Sequence, residues 1–110
     1  MGKVVTFAKL PRQQAPGGAR IAAISGPDMQ EMAASFVEIA PREHYTATIP
    51  DGSDCYMYML DGVGTIAVDK QRRPFSAESF ATLEQNLTFT VENAGSMQQR
   101  RVIKLHTVIE

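Results

Sequence analysis

Short segments rich in Val, Ile, Thr, Tyr and Phe recur along the whole chain, and each closes on a cluster of Gly, Pro, Asn, Asp or Ser. β-Branched and aromatic side chains suit a pleated, half-buried surface and lose rotamer freedom in a helix, so such runs favour strands. The intervening clusters are Ala15-Pro16-Gly17-Gly18, Ser25-Gly26-Pro27-Asp28, Pro50-Asp51-Gly52-Ser53, Asp61-Gly62-Val63-Gly64 and Asn93-Ala94-Gly95-Ser96. They supply the fixed or positive φ that tight turns require. The pattern predicts nine strands: Val4–Phe7, Arg20–Ser25, Ser35–Ile39, His44–Ile49, Cys55–Leu60, Thr65–Asp69, Phe80–Leu83, Leu87–Val91 and Arg101–Ile109. Nine short strands are too many for one open sheet, so an all-β sandwich or barrel is expected. One short helical turn is expected from Asp28 to Ala34, with Asp28 as cap and Met29, Met32 and Ala33 on one face. Residues 11 to 18, rich in Gln, Pro and Gly, read as an exposed loop.

The chain has 110 residues, the length of one domain, and no repeat or linker divides it. We read 1–110 as a single domain. A domain of this size buries roughly 60 to 70% of its unfolded surface, so a partner subunit is a natural source of further burial and a homodimer is expected. Eleven Lys and Arg against twelve Asp and Glu leave a net charge of -1, which argues against a nucleic-acid or anionic-membrane partner. No run approaches the roughly 18 apolar residues of a membrane span, and the first residues lack the apolar core of a signal peptide. The single cysteine, Cys55, fits a reducing compartment, and the expected location is cytoplasmic. Asn86-Leu87-Thr88 matches a glycosylation sequon that, without a secretory signal, is read as accidental.

Within this frame, Pro41 to Asn93 carries a spacing that resembles the cupin superfamily. That family's first motif ends Glu, six residues, Gly; counted back from Gly62, the glutamate position is Cys55. Its two histidine positions become Thr48 and Pro50, and its opening glycine becomes Arg42. The second motif ends His, three residues, Asn, which places Phe89 at the histidine and Asn93 at the asparagine, with Glu78-Ser79 where Gly-Asp usually stands. The resemblance implies a double-stranded β-helix, or jelly-roll barrel, over the whole chain. It also implies that the usual divalent-metal ligands are replaced. Proline and phenylalanine offer no side-chain donor, and one thiol cannot hold iron or manganese alone. No metal and no cofactor are expected, and metal-dependent activities of the family are not implied here.

If Cys55 faces inward as that glutamate would, the two-residue period of a strand carries Met57 and Met59 inward with it. Together with Thr48, Pro50, Phe89 and Val91 they would line a soft, apolar interior. Such a lining suits an apolar or aromatic ligand, or Cu(I); equally, these side chains would simply fill a small barrel. Tyr56, Tyr58 and Leu60 then face the other way, towards an outer strand or a second subunit. Extending the inward parity from Thr48 through Thr46 puts His44 inside near one barrel mouth, the best acid–base candidate, with Glu38 or Glu43 to orient it. The alternative is a histidine exposed on the rim. His106 falls on the face opposite Ile103 and Leu105.

Three further patterns are weighed against plainer readings. Gly62-Val63-Gly64-Thr65-Ile66-Ala67 has the letters of a dinucleotide fingerprint, but strand-like residues follow where that motif needs a helix, so it reads as a turn. Lys70-Gln71-Arg72-Arg73 reads as a solvated hairpin tip, with anion recognition as the sharper alternative. Nucleophilic catalysis by Cys55 would need a neighbouring base that the sequence does not supply. The leading functional expectation is a small metal-free protein that binds a small, mainly apolar metabolite in the barrel interior. Two alternatives stand beside it: a metal-independent isomerase or epimerase using His44 with Tyr45, Tyr56 or Tyr58, and a structural or regulatory dimer whose barrel is filled.

Overall fold

The computed structural model describes residues 6, 10–24, 33–93 and 101–110. Ten strands fall within them: β1 (Gln13–Gln14), β2 (Arg20–Ala23), β3 (Ala33–Ile39), β4 (His44–Thr48), β5 (Cys55–Asp61), β6 (Val63–Val68), β7 (Gln71–Ser76), β8 (Phe80–Leu83), β9 (Thr88–Glu92) and β10 (Ile103–Ile109). They form a six-stranded sheet, β1-β2-β3-β10-β5-β8, and a four-stranded sheet, β4-β9-β6-β7. Every strand pair is antiparallel. The all-β sandwich expected from the turn spacing is therefore what the chain forms.

The core lies between the sheets because each strand alternates apolar and polar residues, and burying one face aligns all strands on the same register. From the large sheet come Val37, Ile39, Cys55, Met57, Met59, Leu83, Ile103 and Leu105; the small sheet adds Ile66, Phe75, Phe89 and Val91, and Ile49 follows β4. β10 is central, paired with β3 on one side and β5 on the other. Asn93, at the end of β9, closes one end of the sandwich. Its buried side-chain amide donates to the carbonyls of Ile39 and Arg101, each at 2.8 Å. Its main chain accepts from Arg42 and donates to Glu43.

Several expectations change. Gln71–Ser76, read from its charges and Pro74 as a loop, is strand β7. β7 is the outer edge of the small sheet, where a residue without a backbone N–H is tolerated. The turn is only Asp69-Lys70, with Asp69 at φ 55°, so a two-residue connection replaces the broad basic tip. Gln13–Gln14 is a short edge strand within the stretch read as loop. Ala33 and Ala34, expected to end a helical turn, begin β3 and pair with Ile109 and Val108. The rest of that turn, residues 28–32, and most of Val4–Phe7 lie outside the described residues.

Candidate functional site

The interior positions expected on β5 and β9 face inward as predicted. Cys55, Met57, Met59, Phe89 and Val91 are each at most 2% exposed and belong to one packed cluster. Side chains so enclosed pack against one another and leave little surface for a ligand at this level. Burial pushes the Cys55 thiol up to about 11, and burial followed by the proximity of Cys55 raises Tyr45. A protonated, enclosed thiol is neither a nucleophile nor a ready metal ligand. Both groups bind protons more tightly folded than unfolded. The contribution of Cys55 to stability is complete below its unfolded value near 9 and is lost as pH rises through about 11. Denaturant melts at pH 8 and pH 11 should show this decline, and Cys55→Ala should lose less stability between those values than the unmodified chain.

The parity expected for β4 is reversed. Tyr45 and Ala47 pack against the core and Ile49 is fully buried, whereas His44, Thr46 and Thr48 are exposed on the outer face of the small sheet. Pro50 is also exposed, in the turn beyond the strand. On that face Thr46 and Thr90 share a hydroxyl hydrogen bond of 2.8 Å, as do Thr48 and Thr88. His44 pairs across the ladder with Glu92 and receives the Gly17–Gly18 loop, which its backbone N–H reaches by donating to the Gly17 carbonyl. Gly17 has φ 94°, and a Cβ there would meet the His44 ring at 2.6 Å, so only glycine lets the loop lie so close. Glu43 turns back to accept from the Ala40 N–H, and Glu38 pairs with Arg12 at 3.0 Å; neither is hydrogen-bonded to His44.

The acid–base partners considered for His44 are therefore dispersed. Tyr45 points to the other side of β4 and packs edge-on against Phe89, with ring centroids 5.7 Å apart. Tyr56 and Tyr58 lie on the outer face of the large sheet, as expected, as does half-buried His106 opposite Tyr58. The donor set at the family's metal positions does not fit a divalent ion: Thr48 and Pro50 face solvent, while Cys55 and Phe89 are in the core. Among the described residues no three of His, Cys, Asp and Glu come together as a possible metal cage.

One concave site among the described residues lies where the free edge of the small sheet meets that of the large one. Ile66, Val68, Gln71 and Arg73 from β6 and β7 face Ala81, Thr82 and Leu83 of β8 across a cleft of about 360 Å³. Its walls follow from strand parity. Ile66 pairs with Arg73 and Val68 with Gln71, so these side chains share the inward face with buried Phe75, while Arg72 and Pro74 point out. Arg72 and Arg101 each pair with a carboxylate, Glu92 at 3.0 Å and Asp61 at 3.2 Å. Arg73 has no carboxylate partner among the described residues; its contact is one long hydrogen bond to Gln71 Oε1, at 3.5 Å. An unpaired guanidinium beside an apolar wall is a recognition element for an anionic head on an apolar body. Expectation centred on the barrel interior and missed this site. The inward parity of Gln71, Arg73 and Phe75 was its only sequence signal, hidden once Pro74 was read as ending the strand.

No family model matches the sequence, and no curated protein is significantly similar to it. Structural similarity is extensive. The crystal structure of a predicted oxalate decarboxylase from Thermotoga maritima superposes with a TM-score of 0.83 over 97% of each chain at 14% identity. The Cnp3 cupin domain of Schizosaccharomyces pombe gives 0.74 at 14% identity, covering 94% of this chain and 70% of that one. The cupin domain of an XRE family transcriptional regulator from Enterobacter cloacae gives 0.72 at 12% identity, covering 84% of this chain and 95% of that one. At these identities the likeness is one of fold alone, and this chain has the fold of these cupin domains.

Proposed function

We propose that this chain is a metal-free cupin-fold binding module for a small molecule with an apolar body and one acidic group, held in the cleft between β7 and β8. The observation that carries this reading is Arg73, beside the apolar residues Ile66, Val68, Ala81 and Leu83 and without a carboxylate partner among the described residues. The cleft volume of about 360 Å³ sits at the lower end of small-molecule sites, which argues for a metabolite rather than a polymer. The packed interior favours this open side over the barrel axis as the place for a ligand. A carboxylate on Arg73 would exchange the weak Gln71 contact for a charge-assisted pair, and Gln71 and Thr82 would be at hand for further hydrogen bonds.

Octanoate is a suitable probe. Titrated into labelled protein, it is expected to shift the amide and methyl resonances of Ile66, Val68, Ala81 and Leu83 saturably, and octanol is expected to bind more weakly. A hydrogen bond to a charged group contributes about 1.5 to 3 kcal/mol, so Arg73→Met should weaken octanoate about 10- to 100-fold while leaving octanol nearly unchanged. Equal octanoate affinity in Arg73→Met, or shifts confined to other parts of the molecule, would overturn the assignment.

A further inference from the structure

We infer that the free edge of β8 is a docking strand for an extended basic segment of another protein, which adds to the large sheet and seats alternate side chains in two clefts flanking that edge. Among the described residues four strands end a sheet: β1, β4, β7 and β8. Three of them are blunted. β1 is two residues long, β7 carries Arg72, Arg73 and Pro74, and the Gly17–Gly18 loop bridges to His44 at the start of β4. β8, Phe80-Ala81-Thr82-Leu83, has neither charge nor proline, and Phe80 is 62% exposed. A bare edge of that kind is a template for another strand. Its register determines which groups it offers. The Met59 N–H donates to the Ser79 carbonyl at 2.9 Å, and backbone bonds alternate along an antiparallel ladder, so Ala81 and Leu83 face Met57 and Cys55. The N–H and C=O of Phe80 and Thr82 therefore point away from the sheet, and among the described residues neither makes a backbone bond outside the ladder.

The clefts select the chemistry of the partner. Thr82 and Leu83 line both: the apolar cleft with Ile66, Val68 and Arg73 on the inner side, and an open cleft of about 450 Å³ with Asp54, Tyr56, Glu84 and Gln85 on the outer side. An extended chain laid along β8 turns successive side chains to opposite faces, one row over each cleft. Arg73 repels a cation on the inner side, where Ile66, Val68 and Leu83 favour apolar side chains. This row rests on the cleft accepting an apolar body, as the small-molecule reading above does. On the outer side Asp54 and Glu84 beside the Tyr56 ring suit lysine or arginine. Acid also brackets the strand, Glu78 before it and Glu84 after it, both exposed. A second copy added antiparallel would set Glu84 of each chain towards Glu78 of the other, so charge favours a basic partner over self-pairing. The four residues of β8 span about 13 Å, which a segment of about six residues covers with one to spare at each end.

The probe is a capped hexapeptide of alternating lysine and valine, titrated into labelled protein. It is expected to shift the amide resonances of Asp54, Tyr56, Phe80, Thr82 and Glu84 saturably, and to slow exchange of the Phe80 and Thr82 N–H by at least about tenfold at saturation. All donors that meet β8 come from one row of the added strand. N-methylation of one row, either the valines or the lysines, should therefore abolish binding, and that of the other should leave it nearly unchanged. A hexapeptide of alternating glutamate and valine should bind at least about tenfold more weakly. Thr82→Pro removes an outward N–H without touching the ladder to β5, a change tolerated at an edge, and should abolish peptide binding. No binding, equal effects of the two methylations, equal affinity for the glutamate peptide, or Thr82→Pro binding as the parent does would overturn the proposal. Protection of Phe80 and Thr82 that arises without peptide and grows with protein concentration would also overturn it, assigning the edge to a second copy. Should Thr82→Pro fail to fold, the methylated peptides decide the same question on the unmodified chain. Octanoate titrated in parallel separates the two readings. A peptide that fails where octanoate binds overturns the docking edge alone; Phe80 and Thr82 protected by peptide where octanoate fails supports the edge and overturns the small-molecule site alone.

Discussion

Replacing Asn93 with leucine is expected to destabilise the domain by about 2 to 4 kcal/mol, because a buried and a part-buried carbonyl lose their donor at once. For a domain near this size that is a fall in melting temperature of roughly 10 to 25 °C, measurable by calorimetry. The effect is large because the Asn93 amide joins the end of β3 to the segment entering β10, while its main chain holds the turn before β4. Asn93→Asp sharpens the test. A carboxylate facing two carbonyl oxygens is held protonated, and its folded pKa rises. The stability of that variant should therefore be greatest at low pH and fall as pH rises, relative to the parent. A leucine variant melting within a few degrees of the parent would show that the clasp is redundant.

The second large effect concerns Gly64. A Cβ there would lie 2.7 Å from Ile103 Cδ1 and closer still to the Glu92 carbonyl oxygen, a backbone atom of the neighbouring strand that cannot swing aside. Gly64→Ala is expected to cost about 3 kcal/mol, at the upper end for overpacking, and to lower the melting temperature by more than 10 °C. Gly52→Ala is the contrast. Its φ of 80° is unfavourable for alanine, but nothing lies within 4 Å of the added methyl, so the cost should stay at about 1 to 2 kcal/mol. Equal losses at the two positions would mean that backbone conformation, not the close approach of β6 and β9, sets the requirement for glycine.

The strands were legible where apolar alternation and turn residues agreed. Cys55–Asp61 shows this best: Cys55, Met57 and Met59 face the core and Tyr56, Tyr58 and Leu60 do not, as the two-residue period requires. β4 carried an equally plain signal in Tyr45, Ala47 and Ile49 alternating with His44, Thr46 and Thr48. Counting instead from the family's histidine positions shifted the parity by one residue, and a one-residue slip sends every side chain of a strand to the opposite face. β7 was obscured for another reason. Edge strands face one neighbour and much solvent, so their sequence resembles a loop, and only the ladder to β6 reveals Arg73 as inward. The cleft and the ends of the large sheet arise between segments distant in sequence, a juxtaposition that local pattern does not encode.

β10 occupies the centre of the larger sheet, although it is the last strand in chain order. During synthesis, β3 and β5 are made long before the segment that joins them, and each waits with an unpaired row of backbone donors and acceptors. A nascent chain stopped between Asp61 and Ile103 therefore presents two unpaired rims, those of β3 and β5, to its surroundings. The emergence of the last strand works as a keystone. Once it lies between its two neighbours, the rims of β3 and β5 are both paired.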